Sequence, residues 1–120
     1  MITHIKTVGV YVSDQQKALD FYTNVLGFEV LADEPMGPDA RWIEVAPPGA
    51  TTNLALWTPP GMEDRIGTFT GLVFQSDDIE ATHKTLQERG VEFVDQPKDQ
   101  PGGVMGTFKD PDGNTFVLRG

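Results

Sequence analysis

The side chains of this chain that are best suited to metal chemistry are two histidines, His4 and His83. Borderline divalent metals prefer imidazole, thiolate and carboxylate donors, and the chain has no cysteine, so a site would need these histidines with acidic partners. His4 lies near the start of the chain and His83 falls inside a predicted helix, so the two are not expected to meet. No serine–histidine–aspartate arrangement, phosphate-binding glycine loop or zinc-spaced pair is visible.

A second group of candidate residues is aromatic or polar and alternates along the predicted strands. Successive side chains of a strand point to opposite faces, so Ile43 and Val45 suit a helix-covered face and leave Trp42 and Glu44 for the other. The same reasoning on the other strands predicts a ligand-binding set: Thr7, Tyr11, Trp42, Glu44, Asn53, Trp57, Gln75, Thr115 and Arg119. Mostly apolar walls with a few polar groups are typical of small-molecule pockets, and indole faces also hold cations.

These residues also have a plainer interpretation. Tryptophan and tyrosine rings on a sheet face are common in protein cores and in dimer interfaces. Glu44 would then be a solvated strand charge, because no partner for it as a general base is visible in the sequence. The scattered arginines would be surface counter-charges. The sequence leaves both interpretations open.

The charge of the chain disfavours two classes of partner. The 120 residues include 18 acidic and 9 basic ones, which gives a net charge of −9 and a pI near 4.4. A surface this negative repels phosphate backbones and anionic lipids, so neither nucleic acid nor a membrane is expected as a partner. It attracts a cationic ligand, and it also serves solubility. No apolar run of membrane-spanning length and no secretory signal are visible, which predicts a cytoplasmic protein.

The secondary-structure elements that must position these residues are predicted by an internal sequence repeat. A shift of 63 positions carries Ser13-Asp14 onto Ser76-Asp77 and Gly27 onto Gly90. Two copies of so long a period indicate a pseudo-symmetric domain, because a solenoid needs at least three repeats. Each copy is predicted as β-α-β-β-β, which gives an α+β fold with helices on one face of a mostly antiparallel sheet.

Hydrophobic periodicity and turn residues set the predicted bounds. The first module spans 1–58, with strands at 5–12, 28–31, 41–46 and 52–57, a helix at 14–26 and a loop at 33–40. Residues 59–68 are predicted to link the modules within one domain of 1–120. The second module spans 69–120, with strands at 69–75, 91–95, 103–109 and 114–119 and a helix that ends at Arg89.

Helix starts and one turn have local signals. Ser13 with Gln16, and Asp77 with Glu80, have the spacing of a capping box at the start of each helix. Residues 110–114, Asp-Pro-Asp-Gly-Asn, form a predicted turn, because proline presets φ while glycine and asparagine tolerate positive φ.

Three motifs occur in the same order as in a known family. They are Tyr-Val-Ser-Asp at 11–14, Phe-Tyr-Thr-Asn-Val-Leu-Gly-Phe at 21–28 and Phe-Lys-Asp-Pro-Asp-Gly-Asn at 108–114. With them the chain resembles, over nearly its whole length, the vicinal oxygen chelate superfamily, which includes glyoxalase I, bleomycin-resistance proteins, fosfomycin-resistance enzymes and extradiol dioxygenases. The resemblance implies two βαβββ modules, each a curved sheet, a groove between the modules, and a homodimer.

The resemblance also implies four metal-ligand positions, one on each of four strands and usually His or Glu in the metal-using members. They correspond here to Thr7, Ala55, Gly71 (or Thr70 if the register shifts by one) and Val117. A methyl group or a glycine cannot coordinate a divalent ion, and one threonine hydroxyl is a weak neutral ligand. These replacements predict that the chain binds no metal and no other cofactor.

Three functions follow from these expectations. The first is a metal-free protein, similar to the bleomycin-resistance branch, that binds a small cationic or aromatic molecule in the groove between the modules. The second is a lyase, isomerase or dioxygenase of the same superfamily with unusual or no metal ligands, or a metal-free catalyst that uses Glu44 or Tyr11. The third is an accessory subunit that binds another protein. The sequence leaves all three open.

Overall fold

The computed structural model describes all residues from Met1 to Gly120, and these form two compact units. The first unit is Met1–Ile66 and the second is Gly67–Gly120. The division falls within residues 59–68, the predicted linker.

The first unit is a four-stranded sheet with one helical segment. Its elements are β1 (Thr7–Val10), α1 (Gln15–Asp20), a π-helical turn (Phe21–Val25), β2 (Glu29–Pro35), β3 (Arg41–Ala46), β4 (Asn53–Leu56) and a 3₁₀ turn (Glu63–Arg65). The strand order is β1-β4-β3-β2. β1 runs parallel to β4, whereas β3 is antiparallel to both β4 and β2.

The second unit repeats this arrangement. Its elements are β5 (Phe69–Gln75), α2 (Ile79–Glu88), β6 (Phe93–Gln100), β7 (Gly103–Lys109) and β8 (Thr115–Arg119). The strand order is β5-β8-β7-β6, with β5 parallel to β8 and the other pairs antiparallel. The predicted α+β fold of two βαβββ modules is therefore confirmed, strand for strand.

The core of each unit follows the alternation of its strands. In the first unit Val10, Ile43 and Val45 are buried together with Tyr22, which has no exposed surface. In the second unit the rings of Phe74, Phe108 and Phe116 stack on one another, with ring centroids 5.1 to 6.1 Å apart. The other face of the first sheet is also buried at Glu44 and Ala55, whereas the second sheet alternates buried and half-exposed residues along β8.

Both helices begin one residue later than the predicted capping boxes. Asp14 is the N-cap of α1 and accepts a hydrogen bond from the Lys17 amide at 3.0 Å. Asp78 is the N-cap of α2 and accepts from the Ala81 amide at 3.1 Å. The prediction of Ser13 and Asp77 as caps was wrong. The residue that follows each of them is an aspartate, Asp14 or Asp78, and its carboxylate is the group that reaches the free amide of the first turn.

The first helix also departs from the predicted single α-helix over 14–26. It is α-helical only to Asp20 and continues as a π-helical turn, in which the Leu26 amide donates to the Phe21 carbonyl at 3.1 Å. The wider turn is compatible with the fully buried position of Tyr22, between the rings of Phe21 and Phe28. Neither helix has the length and hydropathy that a bilayer-spanning segment requires.

Two edge strands are longer than predicted. β2 extends through Pro35 into the predicted loop, and β6 extends through Pro97 to Gln100. Proline lacks the amide that an inner strand must donate, but β2 and β6 each lie at the edge of their sheet, where this amide is not needed. β2 also contains an irregularity between Val30 and Ala32, where its register with β3 shifts.

Candidate functional site

The structure brings four of the predicted ligand-binding residues together in the first unit. Trp42 and Glu44 lie on the same face of β3, and the indole Nε1 of Trp42 donates to the Oε2 of Glu44 at 2.7 Å. From β4, the Nδ2 of Asn53 donates to the Oε1 of Glu44 at 2.9 Å. Trp57 follows β4, and its ring centroid lies 5.8 Å from that of Trp42. We call these four residues the Trp–Glu cluster.

Glu44 is a buried carboxylate with its hydrogen bonds supplied by the protein. Only 8% of the residue is exposed. The hydrogen bond from Asn53, and then that from Trp42, lower the pKa of Glu44 below its ordinary value, and these effects with the nearby Lys6 outweigh the cost of burial. The Lys6 Nζ lies 3.8 Å from Oε1, on a largely exposed side chain. Glu44 is therefore an anion at neutral pH and fixes the orientation of the Trp42 indole.

The two tryptophan rings contact each other, and both residues keep part of their surface exposed. Their planes are inclined at 58°, and both residues are half-buried rather than enclosed in the core. Rings at this distance and inclination touch each other, which leaves no room for a flat molecule between them.

Thr7 and Tyr11 lie on or beside β1, next to this cluster. Thr7 is paired with Asn53 across the parallel β1–β4 ladder. The ring of Tyr11 lies over Gly9, where an added Cβ would be 3.3 Å from the Tyr11 Cε1. Gly9 thus gives the tyrosine ring room to lie against the strand.

The other three predicted ligand-binding residues lie in the second unit. Gln75 pairs with Arg119 and Val73 with Val117 across β5 and β8, so these four residues share one face with Thr115. The Arg119 guanidinium donates to the carbonyl of Gly102 in the β6–β7 turn. The predicted set of nine residues is therefore divided between two sheets.

The four positions at which the resemblance implies metal ligands do not offer a donor set for a divalent ion. Ala55 is buried, Gly71 lies at a register shift of β5 with a φ of 74°, and Val117 is an apolar residue of β8. The hydroxyl of the neighbouring Thr70 donates to the Thr115 carbonyl at 2.7 Å. Elsewhere in the structure no group of three His, Asp or Glu side chains is arranged so that it could hold a metal ion.

Neither histidine lies in the cluster. The His4 ring is exposed and contacts the Thr3 hydroxyl. His83, on α2, packs edge-to-face on Phe93 with centroids 4.5 Å apart and forms a hydrogen bond with Gln96.

A pocket of about 210 Å³ on the second sheet was not predicted from the sequence. We call it the β6 pocket. It is lined by Asp95, Lys98, Gln100, Met105, Gly106, Thr107 and Val117. Of these residues only Val117 had been considered. The strand was predicted over 91–95 only, so the lining residues Lys98 and Gln100 lay outside it.

A family model and a solved structure similar to this chain carry the name of the same superfamily. Residues 2–118 match the family model described as the Glyoxalase/Bleomycin resistance protein/Dioxygenase superfamily. An uncharacterized protein of Bacillus subtilis (strain 168), YetH, is 44% identical over 119 residues, which cover 99% of each chain.

Two solved structures have the same fold at comparable identity. A member of the same superfamily from Sphaerobacter thermophilus DSM 20745 is 45% identical with a TM-score of 0.90, covering 98% of this chain and 97% of the other. TnmS3, an antibiotic binding protein from Streptomyces sp. CB03234, is 44% identical with a TM-score of 0.86, covering 98% of this chain and 95% of the other.

Proposed function

The chain belongs to the Glyoxalase/Bleomycin resistance protein/Dioxygenase superfamily, and on that premise we propose that it binds a small aromatic molecule without the help of a metal. The observation that carries the proposal is the Trp–Glu cluster. Two half-buried indoles lie in contact, and a buried carboxylate holds one of them in place. A ring that is oriented before binding loses less side-chain freedom when the ligand arrives.

The cluster favours a flat ligand with an electron-poor or positively charged ring system. The face of an indole is negative and attracts such rings and cations, by about 0.5–2 kcal/mol per contact. The Glu44 carboxylate behind Trp42 and the overall charge of −9 act in the same direction. The similarity to TnmS3, an antibiotic binding protein, supports an antibiotic or a related aromatic metabolite as the ligand.

The enzymatic alternative has less support from the same geometry. A general base works best when its pKa lies near the working pH. Glu44 has a lowered pKa, and both of its oxygens already accept hydrogen bonds from Asn53 and Trp42. These properties suit a residue that positions a binding surface. The lack of metal-coordinating side chains at the four implied ligand positions supports the metal-free form of the proposal; these positions are Thr7, Ala55, Gly71 and Val117.

The two tryptophans make the proposal directly testable by fluorescence. The chain has no other tryptophan, and both belong to the cluster, so intrinsic emission reports only on this site. Titration with a panel of cationic, neutral and anionic polycyclic antibiotics should quench this emission for cationic or neutral members. Trp57→Ala should weaken binding about tenfold, since the stacking of a flat nucleic-acid base on an aromatic side chain is worth about 1–3 kcal/mol.

A matched control is available in the second unit. Phe69 is an exposed aromatic residue, 64% exposed, on β5. Phe69→Ala should leave the affinity unchanged. Equal losses of affinity in both variants, or no quenching by any member of the panel, would contradict the proposal. So would one equivalent of zinc, nickel, iron or manganese in the purified protein whose removal abolishes ligand binding.

The proposal includes a homodimer, as the resemblance implies, and the cytoplasmic location that the sequence analysis predicts. Sedimentation velocity measures the oligomeric state, with and without ligand. A monomer that binds ligand with full affinity would remove the dimer from the proposal and leave the Trp–Glu cluster in place.

A further inference from the structure

The β6 pocket owes its charged lining to an extra residue in β6. Asp95 pairs with Thr107 and Lys98 with Met105, so three steps along β6 are matched to two steps along β7. In a regular strand, residues three apart point to opposite faces. The extra residue is a β-bulge, which re-aims side chains, and it is the reason that Asp95 and Lys98 both line one pocket.

Gly106 is the residue that lets the bulge lie so close to β7. It is buried, and a Cβ added there would lie 2.8 Å from the Pro97 nitrogen and 2.9 Å from the Asp95 carbonyl oxygen. Both neighbours are backbone atoms that cannot rotate away. Any side chain at position 106 would therefore push the bulge off β7 and change the shape of the pocket.

Charged and polar groups in the pocket retain unused binding capacity. The Thr107 hydroxyl donates to the Oδ2 of Asp95 at 3.0 Å, which leaves Oδ1 without a hydrogen bond from the protein. Lys98 forms no ion pair, although Asp95 lines the same pocket. Gln100 donates from Nε2 to the Met105 carbonyl at 3.1 Å and keeps its carbonyl oxygen available.

The two charges mark opposite ends of the pocket. The acidic end is the Asp95–Thr107 pair, and the basic end is Lys98, opposite Met105, which is itself paired with Arg119. Two residues along β7 separate these ends, a distance of about 7 Å. Met105 and Val117 contribute apolar surface to the lining.

We propose that the β6 pocket binds a compact zwitterion whose amine and carboxylate are separated by a short apolar chain. The amine would meet the Asp95 carboxylate, the carboxylate would meet the Lys98 ammonium, and the chain would lie on Met105 and Val117. A pure cation gains nothing from Lys98, and a pure anion gains nothing from Asp95. The volume of about 210 Å³ lies below the range of about 300–1,000 Å³ for drug-sized ligands, which suits such a small molecule.

The test uses three small molecules with the same carbon frame. ε-Aminocaproate is the zwitterion, n-hexylamine carries only the cation and caproate only the anion. Each is titrated into the full-length protein and followed by the amide signals of Gly106 and Thr107 in heteronuclear NMR spectra. We expect the zwitterion to shift both signals with an affinity at least fivefold above that of either relative.

Single-charge variants identify the two ends. Asp95→Asn and Lys98→Gln should each weaken binding of the zwitterion about fivefold and bring it to the level of the singly charged relatives. Asp99→Asn is the matched control, because Asp99 is on the same strand but pairs with Val104, on the other face of the sheet. Lys84→Gln, on the exposed surface of α2, is the control for loss of a positive charge.

Three outcomes would overturn the inference. They are equal affinities for the zwitterion and for n-hexylamine or caproate, equal losses in Asp95→Asn and Asp99→Asn, and the absence of shifts at Gly106 and Thr107. These readouts are independent of tryptophan quenching at the Trp–Glu cluster, so failure of one proposal is distinguishable from failure of the other. Gly106→Ala, if it folds, should abolish the shifts at Thr107.

Discussion

At the scale of single residues, Glu44 is the group that most constrains the candidate site. It is buried and charged, and it accepts hydrogen bonds from two neighbouring side chains. A buried carboxylate is stable only while such donors remain, because the loss of a partner leaves the charge unsatisfied. The alternation of Ile43 and Val45 with Trp42 and Glu44 was predictable from β3 alone.

The sequence of β3 alone could not predict which side chain of another strand donates a hydrogen bond to the Glu44 carboxylate. Its partner Asn53 comes from β4, nine residues later, and the contact depends on the β3–β4 register in which Glu44 lies opposite Ala55. Pairing registers are long-range properties that side-chain alternation within one strand does not contain. This is why Glu44 was also open to interpretation as a solvated charge.

Replacing Glu44 by glutamine should lower the stability of the protein by about 2 kcal/mol, because hydrogen bonds to a charged group are worth about 1.5–3 kcal/mol. Glutamine also presents an amide where Trp42 or Asn53 needs an acceptor. Urea unfolding, followed by tryptophan fluorescence, measures the change. Glu34→Gln, at an exposed position of β2, is the control and should change stability by less than about 0.5 kcal/mol. Equal effects of the two changes would contradict the role given to Glu44.

The same carboxylate predicts a pH dependence with a definite sign. The pKa of Glu44 is lowered in the folded protein relative to 4.5, so folding favours the ionised form. The resulting stabilisation is complete above pH 4.5 and is lost as the pH falls through the lower, folded value. Unfolding free energies of the wild type and Glu44→Gln should therefore converge as the pH is lowered from neutral through 4.5 and further down. A difference that stays constant, or grows, would show that Glu44 is not the titrating group.

The pair of Asp33 and Arg41 does not obscure this comparison. Its hydrogen bonds lower the pKa of Asp33 in the same direction. However, both proteins contain this exposed pair, so its contribution cancels in the difference. Low protein concentrations are needed near the pI of about 4.4, where the net charge vanishes.

At the scale of elements, Gln15 joins the first helix to the sheet. Its Nε2 donates to the carbonyls of Arg41 at 2.6 Å and Leu56 at 2.8 Å, and its Oε1 accepts from the Arg41 amide at 3.0 Å. One side chain thus bonds the backbones of β3 and β4, the two strands that carry the Trp–Glu cluster. Its neighbour Gln16 is exposed and contacts only the side chains of Arg41 and Asp20.

Gln15→Ala should therefore destabilise the protein by about 2 kcal/mol, since it leaves partly buried backbone groups without partners. Gln16→Ala makes the same chemical change one residue away and should cost less than about 0.5 kcal/mol. Thermal unfolding of the two variants gives the comparison. Similar melting temperatures for both would mean that the Gln15 hydrogen bonds are replaced by water without loss.

Comparison of predicted and observed strands shows which local sequence signals are sufficient to set the bounds of a strand. The strands at 41–46, 69–75 and 103–109 have the predicted bounds, because their β-branched and aromatic residues lie between clear breakers. The strand predicted at 91–95 extends in the structure to Gln100, past Pro97, and proline is compatible with a strand only at an edge or a bulge. Edge position and bulges depend on the partner strand, so the β6 pocket was not predictable.

At the scale of the whole chain, the internal repeat was the most informative signal. The shift of 63 positions predicted two modules with the same order of elements, and the two sheets have the same strand order and the same single parallel pair. The repeat does not extend to the residues of the Trp–Glu cluster. Position 120 aligns with Trp57 under this shift and is glycine, so the aromatic pair belongs to the first unit only.

The charge of −9 predicts a dependence on ionic strength that distinguishes ligand classes. A cationic aromatic ligand of the Trp–Glu cluster should associate more slowly as salt is raised, because screening shortens the reach of the field from about 10 Å at 0.1 M to about 3 Å at 1 M. A neutral analogue of the same size should show little change. Stopped-flow tryptophan quenching measures both rates, and an equal salt dependence would contradict electrostatic attraction of the ligand.

The irregular edges of the two sheets have a consequence for assembly. β2 and β6 each lie at one end of their sheet, and each has a register shift and a proline. A strand that bends and lacks an amide is a poor template for a further strand. Addition of a further strand at β2 or β6, which is the route to fibrils, is therefore disfavoured. Because both edge strands have these features, the effect applies to each half of the duplicated chain.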